Sequence, residues 1–138
     1  MKRVLICEDE PLIALDLEQM VYDVGHEPVG PVRTFSDALE LAESARPAVA
    51  IIDLNLADGT TGANLARLLH ERGIRIVVLS GMADVNPALA GIPHVFIPKP
   101  INPDAVTAVL EIEGRFLPAG PGTPVAIPSR DIMAIAAV

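Results

Sequence analysis

Polar side chains with the potential for chemistry follow several short apolar runs in the sequence. These residues are Glu8, Asp9, Asp53, Ser80 and Lys99. Three carboxylates brought together would repel one another and raise one another's pKa, and a bound divalent cation would remove this repulsion. Hard oxygen ligands with room for water and phosphate favour Mg²⁺. The sequence therefore predicts a magnesium site, provided that the fold gathers these residues.

The same residues are suited to phosphoryl chemistry. A carboxylate such as Asp53, placed beside Mg²⁺ and the Lys99 ammonium, can attack phosphorus and form an aspartyl phosphate. The metal and Lys99 would neutralise the phosphoryl oxygens. The Ser80 hydroxyl could hydrogen-bond one of these oxygens, and Gly81 leaves space for the group to enter. The predicted site is therefore a phosphoryl acceptor.

The elements that must position these residues alternate between strand and helix patterns. The predicted strands are residues 2–7, 26–30, 48–54, 74–79 and 94–97. The predicted helices are 11–24, one capped by Ser36 and ended by Pro47, 62–72, a short helix at 84–90, and 103–116 capped by Asn102. In the first helix, Leu12, Leu15, Met20 and Val24 have helical spacing.

Five alternating β/α units predict a doubly wound α/β sandwich with helices on both faces of a parallel sheet. The run AVAIIDL at 48–54 is typical of a strand buried on both faces. Ligands of such sheets bind beyond the carboxyl ends of the strands. The candidate residues follow four of the predicted strands, so one edge of the sheet should bring them together.

Composition and charge exclude several classes of protein. The 138 residues have a formal net charge of −8, which argues against direct nucleic-acid or anionic-membrane binding. No apolar run is long enough to span a bilayer. Cys7 has no second cysteine to pair with, which favours a reducing, cytoplasmic setting and an inert core role. The three histidines show no metal-ligand spacing.

The C-terminal stretch differs from the rest of the chain. Residues 118–129 are rich in proline and glycine, and the sequence then ends in the apolar residues IMAIAAV. We predict a domain at 1–117 followed by a tail or linker at 118–138. The last residues, 132–138, are predicted to pack on a neighbouring surface.

Together, these motifs resemble the receiver domain of two-component response regulators over residues 2–116. The acidic pair Glu8-Asp9, the stretch DLNLADGTTG from Asp53 to Gly62, Ser80 and Lys99-Pro100 carry the resemblance. It implies a flavodoxin-like (βα)5 fold with strand order 2-1-3-4-5, in which the short interval between Ser80 and Lys99 leaves a short or irregular fourth helix.

The resemblance also implies a role for each site residue. Asp53 would be the phosphoacceptor, with Asp9, Asp53 and the backbone carbonyl of Asn55 as Mg²⁺ ligands and Glu8 acting through water. Lys99, joined to Pro100 by a cis peptide, would bind the phosphoryl group. Ser80 and Phe96 would form the switch. The residues implied to control phosphoryl access and lifetime are Gly81, Met82 and Asn55.

Several positions depart from the usual receiver pattern. Glu8 replaces the commoner aspartate and has a longer side chain. Ala57 stands where proline is frequent, and Ser80 stands where threonine is commoner. Phe96 lacks the hydroxyl of tyrosine, so a switch at this position would work by packing.

The resemblance implies a Mg²⁺-dependent response regulator that accepts a phosphoryl group from a histidine kinase or phosphotransfer protein. Such a protein catalyses its own phosphorylation and dephosphorylation and is not a conventional enzyme. Output would be through contact with a downstream protein, and a homodimer is a further candidate assembly. The alternative is a phosphorylation-independent interaction scaffold with the receiver fold. A phosphatase with an aspartate nucleophile is disfavoured because Asn55 stands where a second aspartate is expected.

Overall fold

Nearly continuous apolar runs form the strands of a parallel sheet, and longer amphipathic stretches form the helices between them. The computed structural model describes residues 1–59, 61–81 and 87–112. The elements are β1 (Arg3–Cys7), α1 (Pro11–Asp23), β2 (Glu27–Val32), α2 (Phe35–Ala45), β3 (Val49–Asp53), α3 (Gly62–Glu71), β4 (Arg75–Ser80), a 3-10 turn (Pro87–Leu89), β5 (Val95–Pro98) and α4 (Pro103–Ile112).

The five strands form one sheet in the order β2-β1-β3-β4-β5, and all neighbouring strands are parallel. One face of the sheet is covered by a core that includes α2 and α3. The other face is covered by a core that includes α1 and α4. Every residue of β3 is buried, because this central strand is covered on both faces. The predicted doubly wound sandwich is confirmed.

The strand register explains how distant residues meet at one edge of the sheet. Cys7 pairs with Ile52, so the residues that follow them, Glu8 and Asp53, lie side by side. At the end of β4, Ser80 pairs with Pro98, which directly precedes Lys99. The backbone N–H of Lys99 then donates to the Ser80 carbonyl over 2.9 Å. The carboxyl edge of the sheet thus gathers residues from β1, β3, β4 and β5.

The first helix lies where the sequence predicts it, but its buried face is different. Leu12 and Leu15, two of the apolar residues with helical spacing, are 73% and 60% exposed. The side chains buried against the sheet are Ala14, Leu17 and Val21. This face has the same helical period but is rotated about the axis, so spacing alone did not identify the inward side.

The predicted N-cap of α2 is wrong by two residues. Thr34, rather than Ser36, is the cap, and its side-chain oxygen accepts a hydrogen bond from the Asp37 N–H over 3.2 Å. Thr34 has the extended backbone that a cap residue needs, whereas Ser36 lies inside the helix. The cap of α4 is where it was predicted, because the Asn102 side chain accepts from the Asp104 N–H over 2.8 Å.

The segment between β4 and β5 contains a 3-10 turn at Pro87–Leu89. This agrees with the prediction of a short or irregular fourth helix, although residues 82–86 of that prediction lie outside the described residues. The predicted extension of the last helix to Phe116 and the tail at 118–138 also lie outside them, so the domain boundary stays a prediction. Among the described helices, none is long and apolar enough to cross a membrane.

Candidate functional site

Three carboxylates meet at the carboxyl edge of the sheet. Glu8, Asp9 and Asp53 each place an oxygen within 4.8 Å of the others. Asp53 is 4% exposed and Glu8 is 1% exposed, whereas Asp9 is half-buried. Within the described parts of the chain, no histidine or cysteine joins this group. The carboxylates predicted from strand ends are therefore together in space.

Lys99 is the cation that faces these carboxylates. Its Nζ lies 2.8 Å from Asp53 Oδ2 and 3.0 Å from Glu8 Oε1. Burial lowers the pKa of Lys99, but its hydrogen bond to Asp53 and the attraction of the Asp53 and Glu8 carboxylates outweigh this effect and raise the pKa overall. Lys99 is therefore a fixed positive charge next to the candidate nucleophile.

The Asp53 carboxylate is held by a hydrogen bond on each oxygen. Oδ2 accepts from Lys99, and Oδ1 accepts from the backbone N–H of Asn55 over 3.0 Å. Asn55 is exposed and lies two residues beyond the end of β3. These contacts orient the carboxylate, and the role of the Asn55 carbonyl as a metal ligand stays a prediction.

Glu8 is bound less completely than Asp53. Its Oε2 accepts a long hydrogen bond of 3.3 Å from the Glu10 N–H. Its Oε1 contacts Lys99 as an ion pair, yet it is buried and accepts no hydrogen bond from the described residues. A buried charged oxygen without a hydrogen bond is costly. Burial and the nearby Asp53, only partly offset by Lys99, raise the pKa of Glu8 to about 7.

The residues of this site fit a divalent cation of the Mg²⁺ type. Three carboxylates supply the hard oxygen ligands that such an ion prefers. The Glu8 oxygen that lacks a hydrogen bond is aimed at the same group and would gain a partner from a cation. Formal charges of three carboxylates and one ammonium sum to −2, which a dication would cancel.

The remaining predicted residues border this edge in different ways. Ser80 ends β4 and is 3% exposed. Gly81 is exposed, and a side-chain carbon at this position would meet no atom of the described residues within 4 Å. Phe96 of β5 is half-buried and packs against the core that includes α2 and α3. Met82 lies outside the described residues. The Lys99–Pro100 peptide is cis, as the resemblance implies.

Two features of the site were missed by sequence reasoning. A side-chain carbon on Gly62 would lie 2.4 Å from the Asp53 carbonyl oxygen and 2.5 Å from Leu54 Cα. The loop that follows β3 is tied to α2, since Asp58 accepts from the Phe35 N–H over 3.1 Å. The position of Gly62 at the start of a helix was a signal for its close approach to the Asp53 and Leu54 backbone, because other residue types are preferred at that helix position.

Comparison with known proteins agrees with this geometry. Residues 4–111 match the family described as the response regulator receiver domain. The chain belongs to this family. The phyllosphere-induced regulator PhyR of Methylorubrum extorquens is 38% identical over 112 residues, which cover 78% of this chain and 41% of the relative. This receiver chain therefore spans less than half the length of that relative.

Solved structures of related receivers have the same fold. The response regulator PhyR from Brucella abortus is 37% identical with a TM-score of 0.67, covering 79% of this chain and 46% of that one. The receiver domain of Erythrobacter litoralis PhyR is 25% identical with a TM-score of 0.72, covering 86% and 94%. The anti-anti-sigma factor PhyR from Bartonella quintana is 29% identical with a TM-score of 0.63, covering 83% and 49%.

The raised pKa of Glu8 predicts a pH-dependent stability of the metal-free receiver. Between pH 4.5, the ordinary pKa of a glutamate, and about 7, the folded protein binds more protons than the unfolded chain. The contribution of Glu8 to the free energy of unfolding is then fully present below this window and is lost as the pH rises through it. Urea unfolding in a chelator at several pH values measures this loss. A Glu8→Gln protein should lack this contribution, and equal pH slopes for the two proteins would contradict the prediction.

Proposed function

We propose that this receiver is a phosphorylation-dependent switch that accepts a phosphoryl group on Asp53 from a histidine kinase or phosphotransfer protein. The observation that carries the proposal is the position of Lys99 Nζ, 2.8 Å from Asp53 Oδ2, at an edge that Glu8 and Asp9 share. A buried nucleophile, a cation and a group of metal-ligating carboxylates are the parts that phosphoryl transfer needs.

The chemistry follows from these positions. An oxygen of Asp53 attacks phosphorus, a new P–O bond forms, and the P–N bond of a donor phosphohistidine breaks with its electron pair leaving on the imidazole nitrogen. Mg²⁺, when bound by Glu8, Asp9 and Asp53, supplies charge neutralisation to the phosphoryl oxygens. Lys99 balances the charge of the acyl phosphate, and the open space at Gly81 admits the incoming group.

The switch that reads this chemistry is proposed to involve Ser80 and Phe96. Ser80 lies at the end of β4, and its carbonyl already binds the backbone N–H of Lys99. Movement of the Ser80 hydroxyl toward a phosphoryl oxygen would therefore also shift the backbone segment that contains Lys99. Phe96 lies on the neighbouring strand and is half-buried, so it can change its packing at small cost.

The exposed side of α1 is our candidate docking surface for the phosphodonor. Leu12, Leu15 and Tyr22 are 73%, 60% and 68% exposed and follow one another at helical spacing. The helix begins at Pro11, two residues beyond the candidate metal ligand Asp9. A protein bound along this side would place its phosphoryl group close to Asp53.

Replacing Leu15 by asparagine should slow transfer from a protein phosphodonor about tenfold, because an exposed apolar anchor of an interface is lost. Uptake from acetyl phosphate should be unchanged, since a small donor needs no docking surface. The measurement compares both rates, using a histidine kinase or phosphotransfer protein that phosphorylates the wild type. Equal slowing with both donors would contradict a docking role.

Output is proposed to occur through contact with a downstream protein. The Bartonella quintana relative bears the name anti-anti-sigma factor. A partner of the anti-sigma class is therefore the first to examine for this chain. Binding that depends on phosphorylation would support the switch, whereas binding that ignores Asp53 and Mg²⁺ would support the scaffold alternative.

The experiment that tests the proposed function is intact mass after incubation with acetyl phosphate, with and without Mg²⁺. We expect a gain of one phosphoryl group that requires Mg²⁺. Absence of a gain in protein shown to be folded by circular dichroism would overturn the switch and favour the scaffold alternative.

A further inference from the structure

Glu8 has a different set of partners from the other buried carboxylate of the site. Asp53 accepts hydrogen bonds from Lys99 Nζ and from the Asn55 N–H. Glu8 Oε1 has the ion-pair contact with Lys99 at 3.0 Å but no hydrogen bond from the described residues. The Lys99 ammonium is therefore shared between two carboxylates, and Glu8 is the less firmly bound of the two.

The length of the Glu8 side chain matters for this contact. An aspartate at this position would retract the carboxylate toward β1 by about 1.5 Å, one carbon–carbon bond. The contact with Lys99 Nζ would then exceed the range of an ion pair. Lys99 would keep its hydrogen bond to Asp53, because that contact does not depend on residue 8.

We propose that Glu8 is a positioning residue, which gives Lys99 a second carboxylate contact in the metal-free receiver and for which Lys99 and Mg²⁺ compete. The proposal rests on the proposed function, in which Lys99 and Asp53 bind the phosphoryl group. Glu8 then couples the two cations: when it turns from Lys99 to Mg²⁺, Lys99 loses one of its two carboxylate partners. The ammonium is then more available to a phosphoryl oxygen in the metal-loaded protein than in the metal-free protein.

The first measurement is Mg²⁺ affinity by calorimetry at mildly alkaline pH. Glu8→Asp should bind Mg²⁺ about fivefold more tightly than the wild type, the ratio expected when one competing ion pair is removed. The matched control is Glu10→Asp, which shortens an exposed neighbouring glutamate whose side chain makes no capping hydrogen bond to α1. Its affinity should equal that of the wild type.

The second measurement is the rate at which an amine-specific reagent labels Lys99 in metal-free protein, followed by peptide mass spectrometry. Labelling should be about threefold faster in Glu8→Asp, and also in Glu8→Gln, which keeps the length and removes the charge. Saturating Mg²⁺ should raise the wild-type rate toward that of the variants. Glu10→Asp should match the wild type without metal.

Unchanged Lys99 labelling in both Glu8 variants overturns the proposal, and so does Mg²⁺ affinity in Glu8→Asp that is equal to or weaker than that of the wild type. Phosphoryl uptake by the wild type from acetyl phosphate is measured in parallel. Uptake without the expected shifts means that the role of Glu8 is wrong and the proposed function stands. The expected shifts without uptake mean that Glu8 positions Lys99 and the proposed function is wrong.

Discussion

An Asp53→Ala protein should gain no phosphoryl group from acetyl phosphate, even with saturating Mg²⁺. The substitution removes the proposed attacking oxygen and one of the three carboxylates that approach within 4.8 Å of one another. Lys99 keeps its contact with Glu8, so the positive charge at the edge of the sheet remains. We expect uptake to fall at least about a hundredfold, because the nucleophile of the proposed reaction is removed. Intact mass spectrometry measures the loss.

The matched control for this experiment is Asp58→Ala. Asp58 lies in the same loop but is exposed, and its carboxylate accepts hydrogen bonds from the Phe35 N–H and the Thr61 hydroxyl, away from Lys99. This variant should keep phosphoryl uptake at the wild-type level within about twofold. Uptake that survives in Asp53→Ala would show that another residue is the acceptor.

The composition of the site could be predicted because it depends on strand ends. In a parallel sheet with helices between its strands, residues that follow the strands reach the same edge whatever their distance in sequence. Asp53 and Lys99 are 46 residues apart, yet a hydrogen bond of 2.8 Å joins them. The apolar runs that mark β3 and β5 were enough to place both residues at that edge.

Which side of a helix faces inward was harder to predict. Helix α1 has two sets of apolar residues with helical spacing, and only one set packs on the sheet. The exposed set includes Leu12 and Leu15, and the buried set is Ala14, Leu17 and Val21. Which set is buried depends on the direction in which the helix leaves β1, and the spacing of the apolar residues does not reveal this direction. If α1 docks a phosphodonor, its exposed face must be apolar in order to bind. A prediction that assigns apolar residues to the core would then assign this face to the wrong side of the helix.

Contacts between side chains of the site could not be predicted from the sequence, because they depend on differences of about 1 Å in atomic position. Glutamate in place of aspartate at position 8 indicated a longer side chain but not its partner. The structure places Glu8 Oε1 3.0 Å from Lys99 Nζ, so the longer side chain forms an ion pair with the cation that is proposed to bind the phosphoryl group. A departure from the usual pattern of a family thus marked a position with a specific physical consequence.

The second prediction with a large effect concerns the backbone beneath Asp53. Gly62 begins α3 and donates its N–H to the Leu54 carbonyl over 3.2 Å. In a Gly62→Ala protein the new carbon would lie 2.4 Å from the Asp53 carbonyl and 2.5 Å from Leu54 Cα. Backbone atoms cannot turn away as a side chain does, so α3 or the end of β3 must shift. We expect a loss of about 3 kcal/mol in the free energy of unfolding, at the upper end for overpacking.

Gly81→Ala is the control for Gly62→Ala, because it adds the same carbon at the same edge of the sheet, where the described part of the chain places no atom within 4 Å of it. Its unfolding free energy should stay within about 0.5 kcal/mol of the wild type. Urea unfolding of the three proteins measures both values. If Gly62→Ala were as stable as Gly81→Ala, the close approach of α3 to Asp53 would be wrong. The Asp53 carboxylate would then be positioned by Lys99 and the Asn55 N–H without the support of the helix behind it.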